Sequence, residues 1–309
     1  MSNLTQRILT AVVLGVVFIA ALYVFPSTPE PFFLLTLLLI AAAGWEWSRL
    51  VGWAGWCAWA SGAFCVMCSI AQNILLGMAV DSTSHDPIHS YWTLVMLAMA
   101  WSLACLLWVI GGAWLLWRGV ERWSTLPRWL RWGVGMVMLV MAMEALGRAA
   151  AYGVSFLLSI LALVWAADIG GYVFGRALGG KLTGGRKLAP SISPGKTWEG
   201  AVGGFVSVLL VGAVWAGFDA SSHTLYSALW QRGLIWFLAG LAFLTAMSIV
   251  GDLIESLVKR AAGVKDSSRL LPGHGGVLDR IDALLPTLPL ALFMTQLPLF
   301  MKLIPGSSP

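Results

Sequence analysis

Charge is what this sequence has least of. Only 11% of its 309 residues are Asp, Glu, Lys or Arg, and 59% are hydrophobic. A soluble domain carries about 25% charged residues, so an ordinary water-soluble globule is excluded. Cysteine is scarce too, with four residues: Cys57, Cys65, Cys68 and Cys105. Cys65 and Cys68 form a CxxC, but it lies inside an apolar run without polar neighbours or a second ligand pair. It therefore reads as small buried side chains and not as a zinc or redox site. No basic tract with interleaved aromatics occurs, so nucleic acid is not an expected partner despite the net charge of +5. The pattern GxxxxGK[ST] is absent, which excludes a P-loop. There is no clear internal repeat and no low-complexity linker.

Long apolar runs are what the sequence does have. A bilayer core of roughly 30 Å needs about 20 apolar residues per helix. Nine candidate spans lie near 8–25, 31–47, 57–79, 91–117, 133–147, 152–175, 200–217, 234–256 and 284–303. The expected fold is all-α, a polytopic integral membrane helical bundle of about nine transmembrane helices. The fifth span is short and carries Glu144, which pairs most simply with Arg148 one turn on. The fourth is long enough to tilt or to extend past the membrane. The first follows Arg7 like a signal peptide, but it is long for one and no small-x-small cleavage site follows. It is read as a retained helix. Several of the 18 tryptophans fall near run ends (Trp45, Trp47, Trp117, Trp123, Trp129) and read as interfacial anchors. Glu46 near Arg49 reads as an interface pair. Small residues in several spans permit a homodimer through helix contacts.

Loop charge gives the orientation. With the N-terminus in the cytoplasm, the inner loops collect Arg49, then Arg118, Arg122, Arg128 and Arg131, then Arg176 to Lys196, then Lys259 to Arg280. The outer loops hold Glu30, Asp81, Asp86, Arg148, Asp219 and Arg232. This is the positive-inside pattern. It predicts a multi-pass protein of the inner (cytoplasmic) membrane. Residues 1–150 read as a transmembrane scaffold. Residues 151–309 read as a catalytic unit with two cytoplasmic polar segments, 168–200 and 251–282.

The second of these segments is the richer. Asp252, Ser256 and Lys259 are spaced to share one helix face, with Glu255 placed to pair with Lys259. An acid at a membrane boundary is costly unless it is paired or bound to a cation. PGHGG, from Pro272 to Gly276, forces a tight exposed backbone able to aim N–H groups at an anion. Asp279 and Asp282 follow one turn apart. With Asp252 they make a candidate carboxylate set for Mg²⁺, which favours carboxylate oxygens together with substrate phosphates. Lys259, Arg260, Lys265 and Arg280 suit phosphate oxygens. The first segment adds Asp168 inside an apolar span, a Gly-rich stretch at 175–185, and SPGKTWEG with Lys196, Thr197 and Glu199. In the outer loops, His85 and His89 form a poorer metal pair, because Pro87 lies between them.

These residues resemble the phosphatidate cytidylyltransferases (CDP-diacylglycerol synthases). The likeness is carried by Ser256-x-x-Lys259-Arg260, Lys265-Asp266, Pro272-Gly-His274-Gly-Gly276 and Asp279-Arg280-x-Asp282. Upstream, Asp168-x-Gly-x-Tyr172-x-x-Gly175-Arg176 and Ser193-Pro-x-Lys196-Thr197-x-Glu199-Gly200 are similar as well. One departure is Gly195, where members often carry a second Lys. The specific motifs cover roughly 165–285.

The resemblance implies that CTP and phosphatidate react at the bilayer surface with Mg²⁺, giving CDP-diacylglycerol and pyrophosphate. It implies metal at Asp252, Asp279 and Asp282, and phosphate binding by Lys259, Arg260 and Arg280, with Ser256 in support. His274 would contact phosphate or protonate the leaving pyrophosphate. Asp168, Lys196, Thr197, Glu199, Lys265, Asp266, Gly275 and Gly276 would line the substrate cavity. The rival classes are a transporter built on Asp168 and a CTP-dependent lipid kinase.

Overall fold

The protein is described by a computed structural model covering residues 3–24, 30–80, 87–218 and 224–301. Asp81, Asp86, Asp219 and His85 lie outside the described residues, as does the side chain of His89.

The chain runs through α1 (Asn3–Val24), α2 (Glu30–Val51), α3 (Trp56–Val80) and α4 (Pro87–Cys105). A π-helical turn (Leu106–Gly111) joins α4 to α5 (Gly112–Thr125). Then come α6 (Arg128–Tyr152), α7 (Val154–Leu178), a hairpin of β1 (Lys187–Ala189) and β2 (Ser193–Thr197), and α8 (Trp198–Phe218). The short α9 (Leu225–Trp230) precedes the long α10 (Leu234–Ala261), the single turn α11 (Leu278–Ile281) and α12 (Leu284–Met301). The fold is a helical bundle, as the apolar runs predict. The hairpin is an addition that no run announced.

Among the described residues, seven helical segments are long and apolar enough to cross a membrane: Glu30–Val51, Trp56–Ile74, Val95–Thr125, Arg128–Tyr152, Val154–Leu178, Trp198–Phe218 and Leu234–Ala261. These support a multi-pass membrane protein; the expected count of nine goes beyond them. The fifth expected span, short in the sequence, becomes the 25-residue α6. Glu144 and Arg148 make it possible by pairing within the helix at 2.5 Å. The fourth span does extend, to Thr125. Large apolar side chains such as Ile169, Val173, Leu210, Val214 and Ile235 point outward. That arrangement suits a lipid solvent and would be an aggregation liability in water.

Helix α7 packs closely along α8 through glycines on both helices. A Cβ on Gly204 would come within 2.7 Å of the Ala167 carbonyl, and one on Gly200 within 2.8 Å of the Gly171 carbonyl. Small residues let helix backbones approach closely where no hydrophobic drive exists. The hairpin connecting these two helices is thereby carried to one end of the bundle, beside the end of α10.

Two expected interfacial tryptophans are core residues instead. Trp47 and Trp123 are buried and stack edge-to-face at 6.0 Å. The Trp47 indole also donates to the Arg131 carbonyl at 3.1 Å. Nearness to a run end did not distinguish them from Trp117 and Trp129, which are exposed. Cys65 is buried, with its Sγ 3.4 Å from Met136 Sδ, as a packing role requires.

Candidate active site

The last turns of α10 carry the face predicted from spacing. Ser256 Oγ donates to Asp252 Oδ1 at 3.2 Å. Lys196 Nζ, from β2, pairs with Asp252 Oδ2 at 2.7 Å. Arg260 donates from Nε to the Ile192 carbonyl between the strands at 3.4 Å, and from Nη1 to the Val264 carbonyl at 3.3 Å. The two polar segments are therefore one structure, with the hairpin laid against the end of α10.

Lys259 is clamped between two acids. Its Nζ lies 2.5 Å from Glu255 Oε2 and 2.6 Å from Asp279 Oδ1. The side chains of Lys259, Glu255 and Asp279 are only 12%, 3% and 8% exposed. A cation enclosed between two buried carboxyls is committed to them.

Asp279, expected among metal ligands, has both oxygens engaged by protein donors. Oδ1 takes Lys259; Oδ2 accepts from Gly276 N at 2.7 Å and from Ser267 N and Oγ, each at 3.0 Å. Burial alone would raise this carboxyl. The Lys259 and Gly276 hydrogen bonds outweigh burial and hold it down at about 2.

The PGHGG turn folds back on itself through Leu271 N to Gly275 O and His274 N to Leu271 O, both 2.9 Å. Gly275 has φ +84°, and a Cβ there would meet Asp279 Oδ2 at 2.5 Å. The turn does present N–H groups to anions, but those of Gly276, Val277 and Leu278 meet the protein's own carboxyls. Arg280 clamps the His274 carbonyl through Nε at 3.2 Å and Nη2 at 2.7 Å. His274 Nδ1 is buried without a hydrogen-bond partner. Lys265, Asp266, Arg269, His274, Gly275 and Arg280 surround an open cavity of about 680 Å³.

A second group of acids sits behind this loop. Asp282 lies within electrostatic reach of Asp252, Asp168 and Lys259, and Asp168 within reach of Asp252, Lys196 and Arg280. Burial first, then the Asp252 charge, push the Asp282 carboxyl up to about 7. Counting Glu255 and Asp279, five carboxyls face three cations: Lys196, Lys259 and Arg280. Among the described residues, no three acidic, His or Cys side chains are gathered as metal ligands as they stand. Mg²⁺ needs only one or two carboxylates plus waters and substrate phosphates. An oxygen-rich cluster with surplus negative charge fits such an ion.

Thr197 and Glu199 face inward. Thr197 Oγ1 accepts from Gly200 N at 3.0 Å and so caps α8. Glu199 Oε1 accepts from Gly180 N, Thr183 N and Thr183 Oγ1 at 3.0, 3.0 and 2.8 Å, and from Leu182 N at 3.3 Å. It ties down the Gly-rich turn after α7.

Sequence reasoning missed Glu46. It is fully buried on α2 and bonds to Ser267, Ser268, Val277 and Leu278, and not to the water interface beside Arg49. Arg49 lies over the Trp45 ring at 4.7 Å. The nearby arginine supplied a ready but mistaken partner. An acid within an apolar run was itself the signal.

Residues 5–297 match the model of the cytidylyltransferase family. The chain is 35% identical to the phosphatidate cytidylyltransferase of Pseudomonas aeruginosa over 289 residues, covering 93% of this chain and 94% of that one. It is 35% identical to that of Haemophilus influenzae over 301 residues, covering 93% and 96%. With that of Bacillus subtilis it shares 37% identity over 148 residues, covering 47% and 49%. With one family model matched nearly end to end, and full-length relatives above 30% identity, the chain belongs to the cytidylyltransferase family.

Proposed function

We propose that this protein transfers the cytidylyl group of CTP to phosphatidate, forming CDP-diacylglycerol and pyrophosphate for phospholipid synthesis. The observation that carries this reading is the joining of the two polar segments through Lys196 and Asp252, in a chain whose full-length relatives are phosphatidate cytidylyltransferases.

A phosphate oxygen of phosphatidate attacks the α-phosphorus of CTP. The bond from that phosphorus to the bridging oxygen breaks, and pyrophosphate leaves. The nucleophile is already anionic near neutral pH, so the main task is to position two anions and offset their repulsion. Lys265, Arg269 and Arg280 around the open cavity suit the triphosphate. His274 Nδ1, buried and without a partner, is suited to a proton or hydrogen bond at the leaving group. Lys196 brings a cation to the acidic cluster. Lys259 and Asp279 keep the loop in place, and Glu199 does the same for the turn after α7.

Mg²⁺ would be held by Asp252 and Asp282, with Asp168 beside them. When bound it supplies positive charge to the phosphates. The loop charges support a cytoplasmic site in the inner membrane, and nine spans would add α1 and the largely buried α12 to the seven. Small-residue helix faces support a homodimer. The test is product analysis with purified protein: CDP-lipid and pyrophosphate in equal amounts support the reading, and release of CDP in place of pyrophosphate removes it.

A further inference from the structure

The structure assigns Glu46 as the positioning residue of the PGHGG–DRxD loop, reaching it from the front half of the chain. This deepens the cytidylyl-transfer reading, and rests on it for its kinetic consequence.

Glu46 is 0% exposed. Its Oε1 accepts from Ser268 Oγ at 2.6 Å and Val277 N at 2.9 Å, and its Oε2 from Ser267 Oγ at 3.0 Å and Leu278 N at 2.7 Å. The partners lie 221 to 232 residues along the chain. A carboxylate has about four acceptor sites and no donor, and four donors fill them here. Each oxygen holds one hydroxyl before the PGHGG turn and one backbone amide after it, so the two limbs of the loop are pinned to the same group.

The turn is built around this acid. A Cβ on Gly276 would come within 2.5 Å of Glu46 Oε1 and still closer to Ser267 Oγ. Gly276 is needed because Glu46 occupies the space. Ser267 Oγ lies 3.0 Å from both Glu46 Oε2 and Asp279 Oδ2 and shares its one proton between them, so Glu46 reaches the Lys259–Asp279 pair through one hydroxyl. Val277 and Leu278 open α11, which carries Asp279 and Arg280 and is followed by Asp282. Fixing those two amides fixes where all three side chains arrive, and supporting groups of this kind govern the geometry of a site.

Substitution separates this role from simple packing. In Glu46→Gln the side chain keeps its shape, but its NH₂ must face either Val277 N–H or Leu278 N–H. A serine hydroxyl can turn round and accept; a backbone amide cannot. One loop amide is left without an acceptor.

The experiment uses the full chain in detergent, wild type against Glu46→Gln and Glu46→Ala. Amide hydrogen exchange over 267–282 is read with no substrate present, so its outcome does not depend on the reaction. The melting temperature and the kcat and KM of cytidylyl transfer are read on the same samples. Expected are faster exchange over 267–282 at unchanged exchange in α6 and α7, and kcat lowered about 10–100-fold in Glu46→Gln with KM for phosphatidate little changed. Glu46→Ala should be worse on every count. Wild-type exchange over the loop in Glu46→Gln overturns the assignment. So does a lowered melting temperature with wild-type kcat, since that is the signature of packing alone.

Discussion

Lys196 Nζ lies 2.7 Å from Asp252 Oδ2, so a strand residue of the hairpin and a residue near the end of α10 form one ion pair. It neutralises one acid of a cluster that remains short of positive charge, and it sets the hairpin against the mouth of the site.

If Asp252 is the pivot of that cluster, Asp252→Asn should lower transfer by about 10²–10³-fold, the cost of removing one preorganised electrostatic group. Lys196→Met should lower it less, because Mg²⁺ can take over part of the neutralisation. Rates measured across a Mg²⁺ series check this: the Lys196→Met defect should shrink as Mg²⁺ rises, and the Asp252→Asn defect should persist.

The clamped lysine makes a different prediction. Lys259→Met leaves two buried carboxyls without their cation and should destabilise the protein by about 3–5 kcal/mol. If Lys259 instead served mainly as a phosphate contact, activity would fall with stability unchanged. Denaturation in detergent, compared with transfer activity, separates the two outcomes.

Gly251 is a packing constraint with a functional reach. A Cβ there would collide with the Asp282 carbonyl and come within 2.9 Å of Pro286 Cδ. Gly251→Ala should push α10 away from the segment bearing Asp282. Overpacking costs about 1–3 kcal/mol, and the Mg²⁺ concentration giving half-maximal rate should rise. A thermal melt and a Mg²⁺ titration read both effects.

The pH dependence has two opposite contributions. Asp279 is held at about 2, below its ordinary 3.8. Its contribution to stability is present above 3.8 and is lost as pH falls through about 2. Asp282 is raised from 3.8 to about 7. Its contribution is full below 3.8 and is lost as pH rises through about 7. Without divalent cation, the melting temperature should therefore fall between about pH 4 and 7. Mg²⁺ should reverse the fall, with affinity strengthening over the same window as Asp282 gives up its proton. Asp282→Asn should remove the slope.

The apolar runs revealed the helical bundle, and charge spacing revealed the α10 face with its Glu255–Lys259 pair. Both depend on local periodicity. The Glu144–Arg148 pair was legible for the same reason. Periodicity could not show that Lys259 also meets Asp279, twenty residues on, or that Thr197 and Glu199 turn inward to cap and tether. Those are decisions of tertiary packing. Glu46 was the largest omission, because its partners lie more than 200 residues away and a nearby arginine offered a simpler explanation. The tryptophans misled for a related reason: an indole near a run end can sit at the interface or stack in the core, and only its neighbours decide.

The most direct test is transfer from α-labelled CTP to phosphatidate by the purified chain in detergent, with and without Mg²⁺. Labelled CDP-diacylglycerol and an equal amount of pyrophosphate are expected, formed only when divalent cation is present. Absence of labelled lipid with Mg²⁺ and both substrates supplied, or release of CDP with a phosphorylated lipid, would contradict it.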